Sequence, residues 1–449
     1  MEYKDMIGGV NPVADKQMDA VDQAIFASKK AFQAYTKLTL NRRREIIEAI
    51  KKKLVPLVPA MAAKELEETG MGNAEDKIIK LVLALYKTPG VEDLVTDVST
   101  GDDGMTLYEY SAYGVICAVQ PGTNPCATLI NNTIGMLAAG NAVIHIPHPR
   151  CIEVSHFVAD HIGQAIYEVC GIRDLVIALP ESSMELADEI MCHPDVEMVV
   201  STGGGKMLNR ALSSPKRVIG AGQANPVVIV DETADLDKAA REIVDGASFD
   251  NNIMCITEKS IVIVSSAVPR FVEELKKQGV YYVDNESEML KLTKAVLTND
   301  ITMNRALEGK SPNAILNAAG ISCNQKIRLI VVNTVKTHPF ATLELLMPLV
   351  PLIEEKDFDE ALETALFIEQ GLRHTALIHS QSIARLNEAA HIMQTSIFIK
   401  NGSSLVGIGF NGDQKTSFTI ANVTGEGVTT ARNFARRRRC TLTSGFSIR

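Results

Sequence analysis

The chain has 449 residues, enough for two or three domains and a large core. A net charge of −9 argues against a nucleic-acid binder, which needs a basic face to displace counterions from phosphate. Eight cysteines without a C-x-x-C pair argue against a disulfide scaffold and point to a reducing compartment.

The first hundred residues read as helices. Val21, Ile25, Ser28, Phe32 and Tyr35 recur on one face, and Ile46, Ile47, Ile50 and Leu54 on another. Lys77 to Tyr86 is more uniformly apolar and reads as a buried helix. From Tyr113 the period changes. Short β-rich runs (114–119, 142–146, 175–179 and 198–200) alternate with amphipathic segments such as 153–170 and 184–191. Apolar strands alternating with helices predict a parallel sheet covered on both faces. A second series has strands at 227–230, 261–264, 376–379 and 397–400, joined to the first near Ala224-Asn225-Pro226. Residues 98–110 and those beyond Lys415 are polar and β-like; they read as arms for oligomer contacts. The N-terminus, Met1 to Asp5, has no apolar signal region, and the longest apolar runs are too short and interrupted to span a membrane. The composition reads as that of a soluble, intracellular protein.

Two places could carry chemistry. Ser201-Thr202-Gly203-Gly204-Gly205-Lys206 follows an apolar strand and opens a helix, where backbone N–H groups and the helix dipole can approach a phosphate. It matches neither a P-loop nor G-x-G-x-x-G, and a tight strand-to-helix turn explains it equally well. Cys255 follows a predicted helix and the polar stretch Asp250-Asn251-Asn252, in a connection near the domain junction. Most cysteines are small buried hydrophobes, and spacing alone favours none of the eight; the two asparagines and the loop setting raise Cys255 above the other seven without settling it. No metal-ligand spacing is present: His145 and His148 are too close for a helical pair, and His156 and His161 read as satisfied helix residues.

Several ordered segments carry a likeness. They are Tyr113-Gly114-Val115-Ile116, Pro121-Gly122-Thr123-Asn124-Pro125, Leu137 to Val143, Ser248 to Cys255 with Glu258-Lys259, His338-Pro339-Phe340, and Ala431 to Cys440. In these the chain resembles the aldehyde dehydrogenase superfamily, and within it the CoA-acylating propanal and acetaldehyde dehydrogenases. The resemblance implies an α/β, aldehyde dehydrogenase-like fold: two open parallel α/β domains plus a β oligomerisation arm. The dinucleotide-binding domain is expected at residues 1–224, with 98–112 lent to the arm. The catalytic domain is expected at 225–415, and 416–449 forms a return segment and C-terminal arm.

The same resemblance implies the site. Cys255 maps to the nucleophile, and Glu344 to the carboxylate that holds the nicotinamide ribose. Asn124 is expected to donate to the oxyanion; a gapless match places Thr123 there instead. Thr202, Gly203, Gly204 and Gly205, with Pro147 and Arg150, are expected to bind the dinucleotide, NAD or NADP. Hydrolytic members carry a general-base glutamate where this chain reads Gly220-Ala221-Gly222-Gln223. Water needs a positioned base to attack a thioester, whereas a thiol is the better nucleophile, so the missing carboxylate favours transfer to coenzyme A. The expected partners are a short-chain aldehyde and CoA, with no nucleic acid and no membrane, in a homo-dimer or homo-tetramer. Relatives reside in the cytoplasm or inside bacterial microcompartments, the latter guided by an N-terminal helix that this sequence does not show. The competing readings are a hydrolytic dehydrogenase and a catalytically silent assembly component.

Overall fold

The structure is a computed structural model that describes residues 20–445 and 447. The segment judged free of a signal region lies outside the described residues.

Four helices lead: α1 (Ala20–Tyr35), α2 (Leu40–Leu54), α3 (Val58–Thr69) and α4 (Ala74–Lys87). Local chemistry sets their ends. Thr39 and Asn73 cap α2 and α4 through their side chains, and Gly70 closes α3 at φ 65°, a left-handed turn that glycine enters without a Cβ clash. The predicted faces of α1 and α2 are buried, apart from a half-buried Phe32. The uniformly apolar reading of 77–86 is corrected. Ile79, Val82 and Tyr86 are exposed, while Lys77 and Lys80 are fully buried. The face that looked most polar points inward because it carries one half of a buried ion cluster.

Strands β1 (Asp97–Gly101) and β2 (Gly104–Ala112) follow as an antiparallel pair. The first parallel sheet then builds from β3 (Val115–Val119), α5 (Pro125–Ala139), β4 (Ala142–Ile146), α6 (Ile152–Cys170), β5 (Val176–Ala178), α7 (Met184–Cys192), β6 (Val196–Thr202), α8 (Gly205–Ser213) and β7 (Arg217–Ala221). Its strand order is β5-β4-β3-β6-β7, so the winding reverses between β3 and β6. That crevice, at the carboxyl ends of the strands, is where open α/β sheets bind ligands.

The second sheet contains β8 (Val227–Val230), α9 (Leu236–Ser248), β9 (Ser260–Val264), α10 (Val268–Lys277), β10 (Val280–Val283), α11 (Glu286–Val296), α12 (Pro312–Ala318), β11 (Leu329–Thr334), α13 (Pro339–Thr342), β12 (Leu349–Glu355), α14 (Phe358–Glu369), β13 (Thr375–His379), α15 (Ile383–Met393) and β14 (Ile397–Lys400). All its pairs are parallel, in the order β10-β11-β12-β9-β8-β13-β14. Strands β3, β4, β9 and β13 are buried throughout, as expected of strands covered on both faces.

The last elements are β15 (Ile420–Ala421), β16 (Gly427–Val428) and β17 (Ala435–Thr443). β17 pairs antiparallel with β2 to complete a three-stranded sheet, and Arg436 to Arg439 lie exposed along it. Polar composition predicts an arm for everything beyond Lys415, yet residues 416–434 return to the first sheet. Gly220 N–H donates to Thr424 Oγ1 at 2.9 Å, Asn141 Nδ2 donates to the Phe434 carbonyl at 2.8 Å, and Phe418 N–H donates to Asn131 Oδ1 at 3.1 Å. These threonine and asparagine side chains look solvated in sequence but are bonded to backbone groups across the join. Among the described residues no helix is long and apolar enough to cross a membrane.

Gly309, between α11 and α12, joins the two halves near the crevice. Its carbonyl accepts from Gly72 N–H and from Asn251 Nδ2, both at 2.8 Å. Its φ is 65°, and a Cβ there would fall 2.6 Å from Met71 Cβ and 2.9 Å from Met71 Cα. Gly309→Ala is therefore expected to destabilise by about 2–4 kcal/mol, from left-handed strain plus overpacking. A thermal melt within a degree of wild type would show that Met71 gives way freely.

Candidate active site

A cavity of about 590 Å³ opens where the two sheets meet. One wall comes from carboxyl ends of the first sheet: Val119 to Asn124 after β3, Ile146 to Arg150 after β4, Thr202 to Gly204 after β6, and Ala221 to Gln223 at β7. The other comes from segments that precede strands of the second: Cys255 before β9, Leu343, Glu344 and Leu346 before β12, and His374 before β13. The structure thus gathers Cys255, Asn124, Thr202, Gly203, Gly204, Glu344, Pro147 and Arg150 around one space. Gly205 begins α8 just behind it.

The segment before Cys255 has an unusual backbone. Asp250, Asn251 and Asn252 occupy left-handed φ of 45°, 53° and 62° in succession. Aspartate and asparagine tolerate that region best among residues with a Cβ, and three in a row need outside support. Asn252 Nδ2 donates to the Ala247 and Glu258 carbonyls at 2.6 and 3.1 Å. Asn251 Nδ2 reaches the Gly72 and Gly309 carbonyls at 3.1 and 2.8 Å. Asp250 Oδ1 accepts from Asn73 N–H at 2.8 Å.

Asp250 also joins a buried quartet with Glu65, Lys77 and Lys80, all four fully buried. Lys77 Nζ lies 2.8 Å from Glu65 Oε1 and 3.3 Å from Asp250 Oδ2, and Lys80 Nζ bonds Asp250 Oδ2 as well. Two charges of each sign cancel. Burial alone would raise the Glu65 carboxyl, but Lys80 and Lys77 outweigh it and hold the group below its ordinary value. Lys80 donates once more, to Asn124 Oδ1 at 2.7 Å.

Around Cys255 the balance differs. Burial and the neighbouring Glu344 carboxylate push the thiol up to about 12, against the opposing pull of Lys259. Burial raises Glu344 to about 7, again opposed by Lys259, and burial lowers Lys259 itself to about 8. Lys259 Nζ is held by the Asn252 carbonyl at 2.5 Å and by Thr257 Oγ1 at 3.2 Å. Glu258 faces elsewhere, accepting from Ser404 N–H and Oγ at 2.9 and 2.7 Å. His374, which sequence reasoning passed over, is lowered to about 3 by burial and by Lys259, so its imidazole is neutral. A lone histidine before an apolar strand gives no signal; only the fold brings it to the cavity.

The wall of the first sheet offers a cradle. A Cβ built on Gly204 or Gly205 would meet nothing within 4 Å, and Gly204, the N-cap of α8, makes no side-chain cap. Open space over uncapped helix N–H groups fits the diphosphate of a dinucleotide. Gly203 N–H is spent on the Ala221 carbonyl at 3.3 Å, and the Thr202 hydroxyl bonds Thr419 Oγ1 at 2.7 Å, so these two shape the turn. Pro147 accepts from Ser182 Oγ at 2.6 Å. Arg150 pairs with Glu308 at 2.8 Å across the cavity, one residue from each wall.

Comparison with known proteins agrees with this architecture. Residues 9–428 match the sequence model of the Aldehyde dehydrogenase family. The propanal dehydrogenase (CoA-propanoylating) of Salmonella typhimurium is 47% identical over 98% of this chain and 95% of its own. The Rhodopseudomonas palustris propionaldehyde dehydrogenase, solved with bound CoA and an acylated cysteine, superposes with a TM-score of 0.94 at 41% identity. That match covers 96% of this chain and 99% of the other. A propionaldehyde dehydrogenase from the fucose utilisation bacterial microcompartment of Clostridium phytofermentans gives 0.94 at 40% identity, over 96% and 99%. The fold, the cavity and these likenesses together establish that the chain belongs to the aldehyde dehydrogenase family.

Proposed function

We infer that this protein is a CoA-acylating aldehyde dehydrogenase, oxidising a short-chain aldehyde such as propanal or acetaldehyde to its CoA thioester with NAD or NADP. One observation carries the reading. Ala221, Gly222 and Gln223 line the cavity of Cys255 where a hydrolytic member would present a glutamate. Of the two carboxylates that do line it, Glu308 is tied to Arg150 and Glu344 lies under the influence of Lys259. The 47% identical relative named as CoA-propanoylating supports the same conclusion.

Cys255 gives up its proton to solvent and its thiolate adds to the aldehyde carbon, placing negative charge on the carbonyl oxygen. Asn124 Nδ2 and the Cys255 N–H stabilise that oxygen, a contribution of about 3–4 kcal/mol per donor in sites of this kind. A nicotinamide dinucleotide, when bound, would supply the oxidation as a hydride acceptor. Glu344, on the cavity wall, would hold its ribose, and Gly204 and Gly205 would cradle its diphosphate. The adduct then collapses to a thioester on Cys255. The CoA thiol attacks the acyl carbon, and Cys255 departs as thiolate and takes up the proton that the CoA sulfur loses. The sum is aldehyde, CoA and oxidised dinucleotide giving acyl-CoA, reduced dinucleotide and a proton. Because the acyl group never leaves thioester linkage, the sequence is reversible.

The β1-β2-β17 sheet is the assembly arm of this reading, joining copies of the chain as a homo-dimer or homo-tetramer. The reading places the protein in the cytoplasm or inside a microcompartment, and the microcompartment origin of the Clostridium phytofermentans relative supports the second.

Three results test this reading. Cys255→Ala should reduce acyl-CoA formation by at least about 10⁴-fold while leaving dinucleotide binding intact, as loss of an essential nucleophile does. Wild-type enzyme given NAD and propanal without CoA should release a burst of about one NADH per site, then slow sharply. The acyl group should be found on Cys255 by intact mass and be discharged by CoA; sustained propanoate release would instead identify a hydrolase. Because the thiol sits near 12, its alkylation by iodoacetamide should rise about tenfold per pH unit from 7 to 10. A plateau below pH 9 would place the thiol far lower.

A further inference from the structure

Asn124 stands at the N-cap of α5 yet makes no cap bond. Asparagine is among the best N-caps, and leaving that role unfilled costs about 1 kcal/mol. Two features account for the diversion. Pro125 removes the first N–H of the helix, and Glu65 Oε2 accepts from Cys126 N–H at 3.4 Å, so the buried quartet supplies the cap. Asn124 is released to face Lys80 instead.

An ammonium group only donates. Lys80 Nζ, 2.7 Å from the side chain, therefore fixes the amide oxygen toward itself and turns the NH₂ group the other way. One of those N–H bonds reaches Thr123 Oγ1 at 3.2 Å; the other is left for the cavity that Asn124 lines. The same ammonium holds Asp250, five residues before Cys255, in the left-handed segment that presents the nucleophile. We propose that Lys80 is a positioning residue: it sets the Asn124 amide as oxyanion donor and ties it, through Asp250, to the loop carrying Cys255. It also explains how the amide displaced by one place from the gapless position serves in place of Thr123. The inference rests on the reading of Asn124 as the donor.

A double-mutant cycle on pre-steady-state NADH release, with propanal and NAD and without CoA, separates this role from a merely structural one. Asn124→Ala should slow the burst about 100-fold or more, the usual loss for one oxyanion donor. Lys80→Met should slow it at least about tenfold while the KM for propanal and the affinity for NAD stay within about twofold of wild type. In the Asn124→Ala background, Lys80→Met should have almost no further effect, since no oriented amide remains to lose. Equal slowing by Lys80→Met in both backgrounds would overturn the positioning role and leave the Asn124 reading standing. A normal burst in Asn124→Ala, with Cys255→Ala still inactive, would remove Asn124 and with it the role of Lys80. If Lys80→Met does not fold, the charge-balanced Lys80→Met/Asp250→Asn enzyme is compared with Asp250→Asn in both backgrounds, with the same outcomes.

Discussion

Two carboxylates and two ammonium groups, all out of reach of water, fix the relation between the halves of this molecule. Glu65, Lys77 and Lys80 come from the leading helices and Asp250 from the loop before Cys255. Taking charges out of water is costly, and their mutual attraction recovers that cost only when geometry and hydrogen bonds are nearly complete. Here they are: Asn73 N–H, Cys126 N–H and the Asn124 amide take up the remaining sites. Removing any one member would strand a buried charge, at about 3–5 kcal/mol. Such a cluster tolerates few arrangements. It specifies geometry more than it adds stability, which suits a place where a nucleophile and a hydrogen-bond donor must face one point.

Much of the fold was legible because a strand buried on both faces must be apolar throughout. β4, β8 and β14 coincide with the runs read from sequence, and β3, β6, β9 and β13 differ only at their ends. β7, β10, β11 and β12 were not read. β7 ends in Gly220-Ala221, β12 contains Pro351, and β10 carries two tyrosines, so these three show no clean apolar run, whereas β11 opens on one, Leu329 to Val332, that was passed over. Proline and glycine count against a strand locally. Here sheet neighbours on either side decide the matter, and no window of sequence contains them.

The site divides along similar lines. Cys255, Glu344 and the glycine turn stand in ordered motifs, so the resemblance reached them. Lys80 and His374 carry no motif, and their meaning is wholly spatial. Lys80 lay hidden in an apolar stretch whose periodicity, read correctly, would have exposed Ile79, Val82 and Tyr86 and turned the lysines inward. Arg150, expected from sequence to bind the dinucleotide, is paired with Glu308, so any anion it binds must compete with a carboxylate from the opposite wall. The three left-handed residues before Cys255 show how composition can be visible while its reason is not. Asp-Asn-Asn looks like a polar loop; its backbone requires those residue types.

The returning segment 416–434 bears on how the chain acquires this form. Gly135 in α5 abuts the Phe434 ring, and Asn131, Asn132 and Asn141 bond to residues near the opposite terminus. The first sheet thus borrows part of its cover from residues 416–434. During synthesis, strands β3 to β7 emerge long before that cover leaves the ribosome, and they must wait with apolar surface unsheltered. Proteins usually complete their N-terminal domain first. This one cannot finish its first sheet until residue 434 is made, which makes the nascent chain a natural client for holding chaperones and a ribosome stalled before that point a source of aggregating fragments.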